Sequence, residues 1–86
     1  MCIEDFELLD TEEKISYACL RGPVAFREMP PQYFYIVYKV DDFYVELRFN
    51  EKSKDRLADC ARAFNAMAFE HYIRNNYYYM RSEDFL

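Results

Sequence analysis

Tryptophan is absent from this chain of 86 residues, glycine and histidine occur once each, and proline three times. Each scarcity excludes something. A single glycine, Gly22, leaves no Gly-rich phosphate loop and no collagen-like or glycine-linker architecture. The three cysteines, Cys2, Cys19 and Cys60, are odd in number and widely spaced, with no C-x-x-C. Neither a disulfide framework nor a zinc site is encoded in that pattern. No apolar run approaches the ~18 residues of a membrane-spanning helix. The N-terminus, from Met1 to Phe6, is acidic and lacks the basic start and apolar stretch of a signal peptide. These features predict a soluble cytoplasmic protein without metal or cofactor.

What is present is aromatic. Phenylalanine occurs 8 times and tyrosine 9 times, so aromatics make up 20% of the chain, and 52% is hydrophobic. Disorder needs the opposite composition. The length allows one domain, 1–86. A domain this small buries only about 60–65% of its unfolded surface. Large side chains at ~1.5–3 kcal/mol each are therefore its main source of stability. The net charge of −5 argues against a whole-chain phosphate-binding role, which needs surplus Lys and Arg. Six acids and no base lie in residues 1–13, and the remaining 10 acids and 11 bases nearly cancel. That concentration suits a solvated helix start, where acids complement the macrodipole. It also suits an acidic arm (1–10) that meets a basic partner.

The spacing predicts a helix over 11–21. Asp10 and Glu13 stand at capping-box distance, and Ile15, Ala18 and Cys19 form one apolar stripe. Gly22, tolerating a left-handed cap, and then Pro23 end it. Residues 3–9 read as a short helical turn or an extended arm. Residues 33–40 and 43–49 are aromatic and β-branched with period two, and Asp41-Asp42 between them predicts a hairpin. With Val40 opposite Phe43, one face carries Phe34, Ile36, Tyr38, Val45, Leu47 and Phe49, all apolar or aromatic. The other carries Tyr33, Tyr35, Val37, Lys39, Tyr44, Glu46 and Arg48. A slip of one residue would mix the two sets. Residues 24–29 form a first strand, joined through Pro30-Pro31-Gln32. It adds Val24 and Phe26 to the apolar face, and Ala25, Arg27 and Met29 to the mixed one.

Downstream, Leu57, Cys60, Ala61 and Phe64 make a helical stripe capped by Asn50 or Ser53. A second, rotated stripe of Phe69, Tyr72 and Ile73 predicts a break near Asn65, which can cap a second helix; a single unbroken helix is the alternative. Phe64 is expected to pack over the apolar face. Residues 77–80 read as a final turn, an extended tail or a fourth strand. The predicted fold is α+β: an N-terminal helix, a three-stranded antiparallel meander, and one or two C-terminal helices packed on the same sheet face.

Chemistry-bearing motifs are few. Cys60 and His71 on one continuous helix would stand roughly 16 Å apart at 1.5 Å per residue, beyond a nucleophile–base contact. Glu12-Glu13 and Asp41-Asp42 are neighbours in a helix start and a turn, which does not create the two distinct environments of an acid–base pair. No catalytic residues and no enzyme activity are predicted. The bases Lys52, Lys54, Arg56 and Arg62 alternate with acids, as on a solvated helix face.

The mixed face is the candidate site: Arg27, Met29, Tyr33, Tyr35 and Val37, with Lys39, Tyr44, Glu46 and Arg48. Tyr, Met and Arg are enriched at protein interfaces. The same face could be plain solvated sheet with cross-strand pairs, or be covered by the tail (77–86) or a second copy of the chain. Aromatics interleaved with Arg also resemble single-stranded RNA platforms, against which stand the net acidity, the central Glu46 and the lack of an RNP-type motif.

The run Glu12-Glu13-Lys14-Ile15, then Tyr17 and Gly22, then Asp42-Phe43-Tyr44-Val45-Glu46, resembles a group of short uncharacterised bacterial proteins over residues 12–50. These share a helix–Gly–β-hairpin order. The resemblance implies a bacterial or mobile-element origin and that order of elements, and it brings no activity or functional residues. The expected function is a non-catalytic protein-binding module, an inhibitor or regulator of a larger bacterial protein. Alternatives are a homodimeric structural protein and a weak single-stranded RNA binder.

Overall fold

The computed structural model describes residues 1–53, 57–76 and 78–79, without the side chains of Met29, 72–76, 78 and 79. Its elements in chain order are α1 (Ile3–Glu7), α2 (Thr11–Cys19), β1 (Pro23–Met29), β2 (Tyr33–Val40), β3 (Phe43–Asn50), β4 (Ala58–Asn65), α3 (Ala66–Asn76) and β5 (Tyr78–Tyr79). The strands form one antiparallel sheet in the order β4-β3-β2-β1-β5. The fold is α+β, with four full strands and a two-residue fifth.

The capping box forms. Asp10 Oδ1 accepts from Glu13 N at 2.8 Å, and Glu13 Oε1 accepts from Asp10 N at 3.3 Å. Helix α2 ends two residues before the expected limit. Arg21 N donates to Ala18 O at 2.9 Å and closes its last turn, and Gly22 does not take a left-handed conformation. Pro23 then opens β1, where its missing N–H leaves no intrahelical donor unmet.

Strands β2 and β3 pair in the expected register along their whole length, from Val40↔Phe43 to Tyr33↔Asn50. The two-residue turn puts Asp41 at φ 53°, a conformation Asp tolerates better than bulkier residues do. Strand β1 joins through residues 30–32, with a cis peptide between Pro30 and Pro31. A bulge between Pro23 and Ala25 brings Pro23 opposite Tyr38, and Val24, expected on the apolar face, packs instead against the cluster of Ala25, Val37 and Phe69.

The C-terminal half corrects the sequence reading. The stripe Leu57, Cys60, Ala61, Phe64 does not form a helix. Residues 58–65 are strand β4, paired with β3 from Phe49↔Ala58 to Phe43↔Asn65. The physical reason lies in Ala61 and Ala63. Their small side chains face the apolar layer, where they pack against the cluster that α1 and α2 cover. The β3 edge supplies a ladder of backbone partners that an isolated helix would forgo. Only one C-terminal helix follows. Asn65 Oδ1 accepts from Ala68 N at 2.8 Å and caps α3, as expected of that residue. Of the 77–80 segment, Tyr78 and Tyr79 pair with Phe26 and Ala25 of β1; Tyr77 and Met80 lie outside the described residues.

The helices do not share a face. Helices α1 and α2 cover the apolar side, where Phe6, Ala18, Tyr38, Val40, Phe43, Val45 and Leu47 form the main core. Phe6 is fully buried, 5.4 Å from the Phe43 ring and 6.2 Å from that of Tyr17. A five-residue helix is too short to hold itself, so this anchor fixes α1. Helix α3 lies on the opposite, mixed side. Its Phe69 joins Ala25 and Val37 in a second, smaller buried cluster. Phe64 also points to that side, through its pairing with Tyr44, and not over the apolar core. No helix among the described residues is long and apolar enough to cross a membrane.

Candidate functional site

The registers arrange the mixed face as rungs across the strands. From the α3 end downward they read Lys39–Tyr44–Phe64, Ala25–Val37–Glu46–Arg62, Arg27–Tyr35–Arg48–Cys60 and Met29–Tyr33–Asn50. The nine residues selected from the sequence therefore do share one face. They do not share one environment.

The upper part is covered. The Phe69 ring stacks on Tyr44 with centroids 3.7 Å apart and planes 13° from parallel. Val37 is fully buried. Tyr44 and Val37 thus serve a core, and the expectation that they meet a partner is replaced by contact with α3. Lys39 remains exposed at the margin. The side chain of Met29 lies outside the described residues.

The lower part is half-buried, and Tyr35 packs against the cluster of Ala25, Val37 and Phe69. Arg27 stands 4.8 Å over the ring of Tyr35, and Arg48 stands 4.8 Å over the ring of Tyr33. Both rings are half-buried. Arg48 Nε also donates to Asp59 Oδ1 at 2.8 Å, and that pair holds the Arg48 guanidinium firmly protonated. Asp59 sits at the irregularity of β4, where Arg48 pairs with Cys60 and Phe49 with Ala58. The bulge turns Asp59 toward Arg48. The result is a small plane of two arginines laid on two tyrosines, built on strands β1, β2 and β3.

Between the two parts lies Glu46, only 6% exposed. Its Oε2 is buried without a hydrogen-bond partner among the described residues. Burial pushes its carboxyl above the usual range, while the charges of Arg27 and Arg62 pull it back. Glu46 was expected to contact a partner at the surface; the structure places it beneath the surface, where it balances the arginines.

Asp59, Cys60, Arg62, Phe64 and Phe69 also belong to this face and were missed in the sequence. Four of them sit on β4, which the helical stripe concealed. The alternation of Ala61 and Ala63 with Cys60, Arg62 and Phe64 was the available signal. Arg62 stands 4.7 Å over the Phe64 ring and extends the cationic character of the face toward the β4 edge.

The cysteines are free thiols at exposed positions. The Cys19 thiol is pushed up by partial burial, with a hydrogen bond to Tyr38 opposing the shift, so its thiolate is disfavoured. Cys60 and His71 are on separate elements, β4 and α3, and not on one helix. No group of three His, Cys, Asp or Glu that could hold a metal ion occurs among the described residues. None of the family models, curated proteins or solved structures compared with the chain matches it.

Proposed function

We propose that this chain is a non-catalytic binding module that docks on a larger bacterial protein, as an inhibitor or regulator, through the Arg–Tyr half of the mixed face. The observation that supports it is the stacked set Arg27–Tyr35 and Arg48–Tyr33, presented on strands β1, β2 and β3. Tyr and Arg dominate binding hot spots because they join large, flat apolar area to directed donors. Stacking restrains the guanidinium groups before a partner arrives, so less side-chain entropy is lost on docking. The partner surface that fits carries carboxylates beside flat apolar groups.

The test compares affinity capture from a bacterial host by the native chain and by a Tyr33→Ala/Tyr35→Ala variant, with mass spectrometry of what is retained. Circular dichroism establishes that the variant is folded. A partner held by the native chain and released by the variant supports the reading; a partner held equally by both sinks it. A second reading uses the same stacks, since Arg–Tyr planes also accept the bases of single-stranded RNA. It requires binding of short single strands that weakens steeply with salt. A flat titration at low salt removes it. The homodimer reading requires a doubled mass in light scattering at low concentration.

A further inference from the structure

Helices α1 and α2 bury one side and leave another bare. Ile15 and Ala18 of α2 turn to the core, and Ala18 is fully buried. Leu9 and Leu20 bracket the same helix on its outer side, where they line a shallow groove of about 330 Å³ with Met1, Glu13, Ser16 and Tyr17. The nine residues of α2 hold the two leucines roughly 14 Å apart, at about 1.5 Å each. Leu20 is 79% exposed, and Leu8, beside Leu9 in the chain, 84%. Among the described residues, five large apolar side chains are left exposed, and three of them, Met1, Leu8 and Leu20, flank these two helices. Grouped exposure of that kind marks a contact surface, where scattered single residues would not.

The charge around the groove selects the occupant. All six acids of residues 1–13 are exposed, and none of them is ion-paired among the described residues. Glu13 stands in the groove itself. Asp41 and Asp42 lie at the turn that the Met1 amino group reaches, 2.7 Å from Asp41 Oδ2. Against these eight carboxylates stand Lys14, that amino group, and Arg21, which lies 4.4 Å over the Tyr17 ring. Segment 54–56 lies outside the described residues. Even with its Lys54 and Arg56 both counted beside α2, and its Asp55 left out, the acids outnumber the cations eight to five. Glu51 and Lys52, before that segment, cancel. A second copy of this chain would set the same acids against each other, so a cationic partner fits.

We infer that the α1–α2 groove receives a basic amphipathic helix of a partner protein, with apolar side chains seated between Leu9 and Leu20 and Lys or Arg residues facing Glu13 and the acids around it. The apolar contacts supply affinity, because they leave water against exposed leucines. The cations hasten the encounter and set the direction of docking. This surface lies on the opposite side of the sheet from the Arg–Tyr stacks. The two sites are independent, and either can fail alone.

The experiment titrates the isotope-labelled full chain with three capped helical peptides of four turns and follows backbone amide shifts by NMR at low salt. The first carries leucines along one face and lysines on the others. The second has serine for each leucine, and the third has glutamate for each lysine. The expected result is saturable shifts at Leu9, Glu13, Ser16 and Leu20 with the first peptide, and binding weaker by about fivefold or more with the second. The third should produce no shifts there. Leu20→Ser should weaken the first peptide by about fivefold. Glu13→Gln, which keeps the capping box and removes the charge, should weaken it by roughly twofold or more. Both positions are exposed, so the rest of the spectrum should stay unchanged. Equal binding of the first and second peptides overturns the inference, because charge alone would then suffice. So does the absence of shifts up to about 1 mM peptide. Binding indifferent to Leu20→Ser, or shifts confined to the Arg–Tyr stacks, overturns it as well. Concentration-dependent shifts at the groove without any peptide would show a second copy of the chain there, and would also overturn it.

Discussion

Replacing Phe69 with alanine tests whether α3 is seated on the mixed face. Phe69 is 8% exposed and its ring lies 3.7 Å from that of Tyr44. Removing a buried Phe side chain costs about 3–5 kcal/mol, and a helix at the rim of the sheet can relax, so the lower end, about 3 kcal/mol, applies. A chain of this length has roughly 4–13 kcal/mol in total, at about 0.05–0.15 per residue. Phe69→Ala should therefore lower the melting temperature by about 12–24 °C. Met67→Ala is the control: Met67 is on the same helix, 74% exposed, and its loss should stay within about 0.5 kcal/mol. The assay is urea unfolding followed by circular dichroism and tyrosine fluorescence. A double-mutant cycle with Tyr44→Ala isolates the ring stack, expected to couple by about 0.5–1.5 kcal/mol. If Phe69→Ala costs no more than Met67→Ala, or the cycle closes within about 0.3 kcal/mol, α3 does not rest on Tyr44 and the division of the face collapses.

Three further outcomes are expected. Asp10→Ala removes the cap of α2 and should cost about 1 kcal/mol in chemical unfolding, with Glu13→Ala costing less; no change in either would place the helix start elsewhere. Glu46 has a raised folded-state pKa, so the folded protein holds that proton to higher pH than the unfolded chain does. Its contribution to stability is greatest below the ordinary value of 4.5 and declines as pH rises through the window above it. Glu46→Gln should then raise the urea midpoint at pH 7, and the difference should fade as the solution is brought to about pH 4; a lowered midpoint at pH 7 would mean that attraction to Arg27 and Arg62 outweighs burial. At Asp41, φ 53°, Asp41→Gly keeps the turn and loses the exposed ion pair with the Met1 amino group, whereas Asp41→Val adds about 1–2 kcal/mol of backbone strain. Equal melting temperatures for these two variants would contradict the turn geometry.

The β2–β3 hairpin was legible because its alternation is complete. Every second rung from Phe34/Phe49 to Tyr38/Val45 puts apolar or aromatic side chains together, and a slip of one residue would break that set. The cap at Asn65 was legible for a similar reason, since its chemistry is local. Strand β4 was hidden because Leu57, Cys60, Ala61 and Phe64 satisfy a helical period as well as a strand period. Alanine favours a helix in isolation and is decided here by what packs above it. That choice carried the site with it. Once β4 is a strand, α3 starts at the sheet edge and reaches the mixed face, and Val37, Tyr44 and Glu46 of the expected surface are covered. The arginine–tyrosine stacks survived the error because they depend on β1, β2 and β3 alone.

Helix α3 leaves the sheet at one edge, from the end of β4, and delivers β5 to the other edge, beside β1. Its 11 residues span about 16 Å at about 1.5 Å each. The four strand spacings from β4 to β5 come to about 19 Å at about 4.8 Å each, so the helix covers most of that width and the residue after it the rest. The helix therefore acts as a gauge for the width of the sheet. Removing one of its turns would leave β5 short of β1, and adding a strand within the sheet would do the same. The number of strands this domain can hold is written in the length of the segment that crosses them.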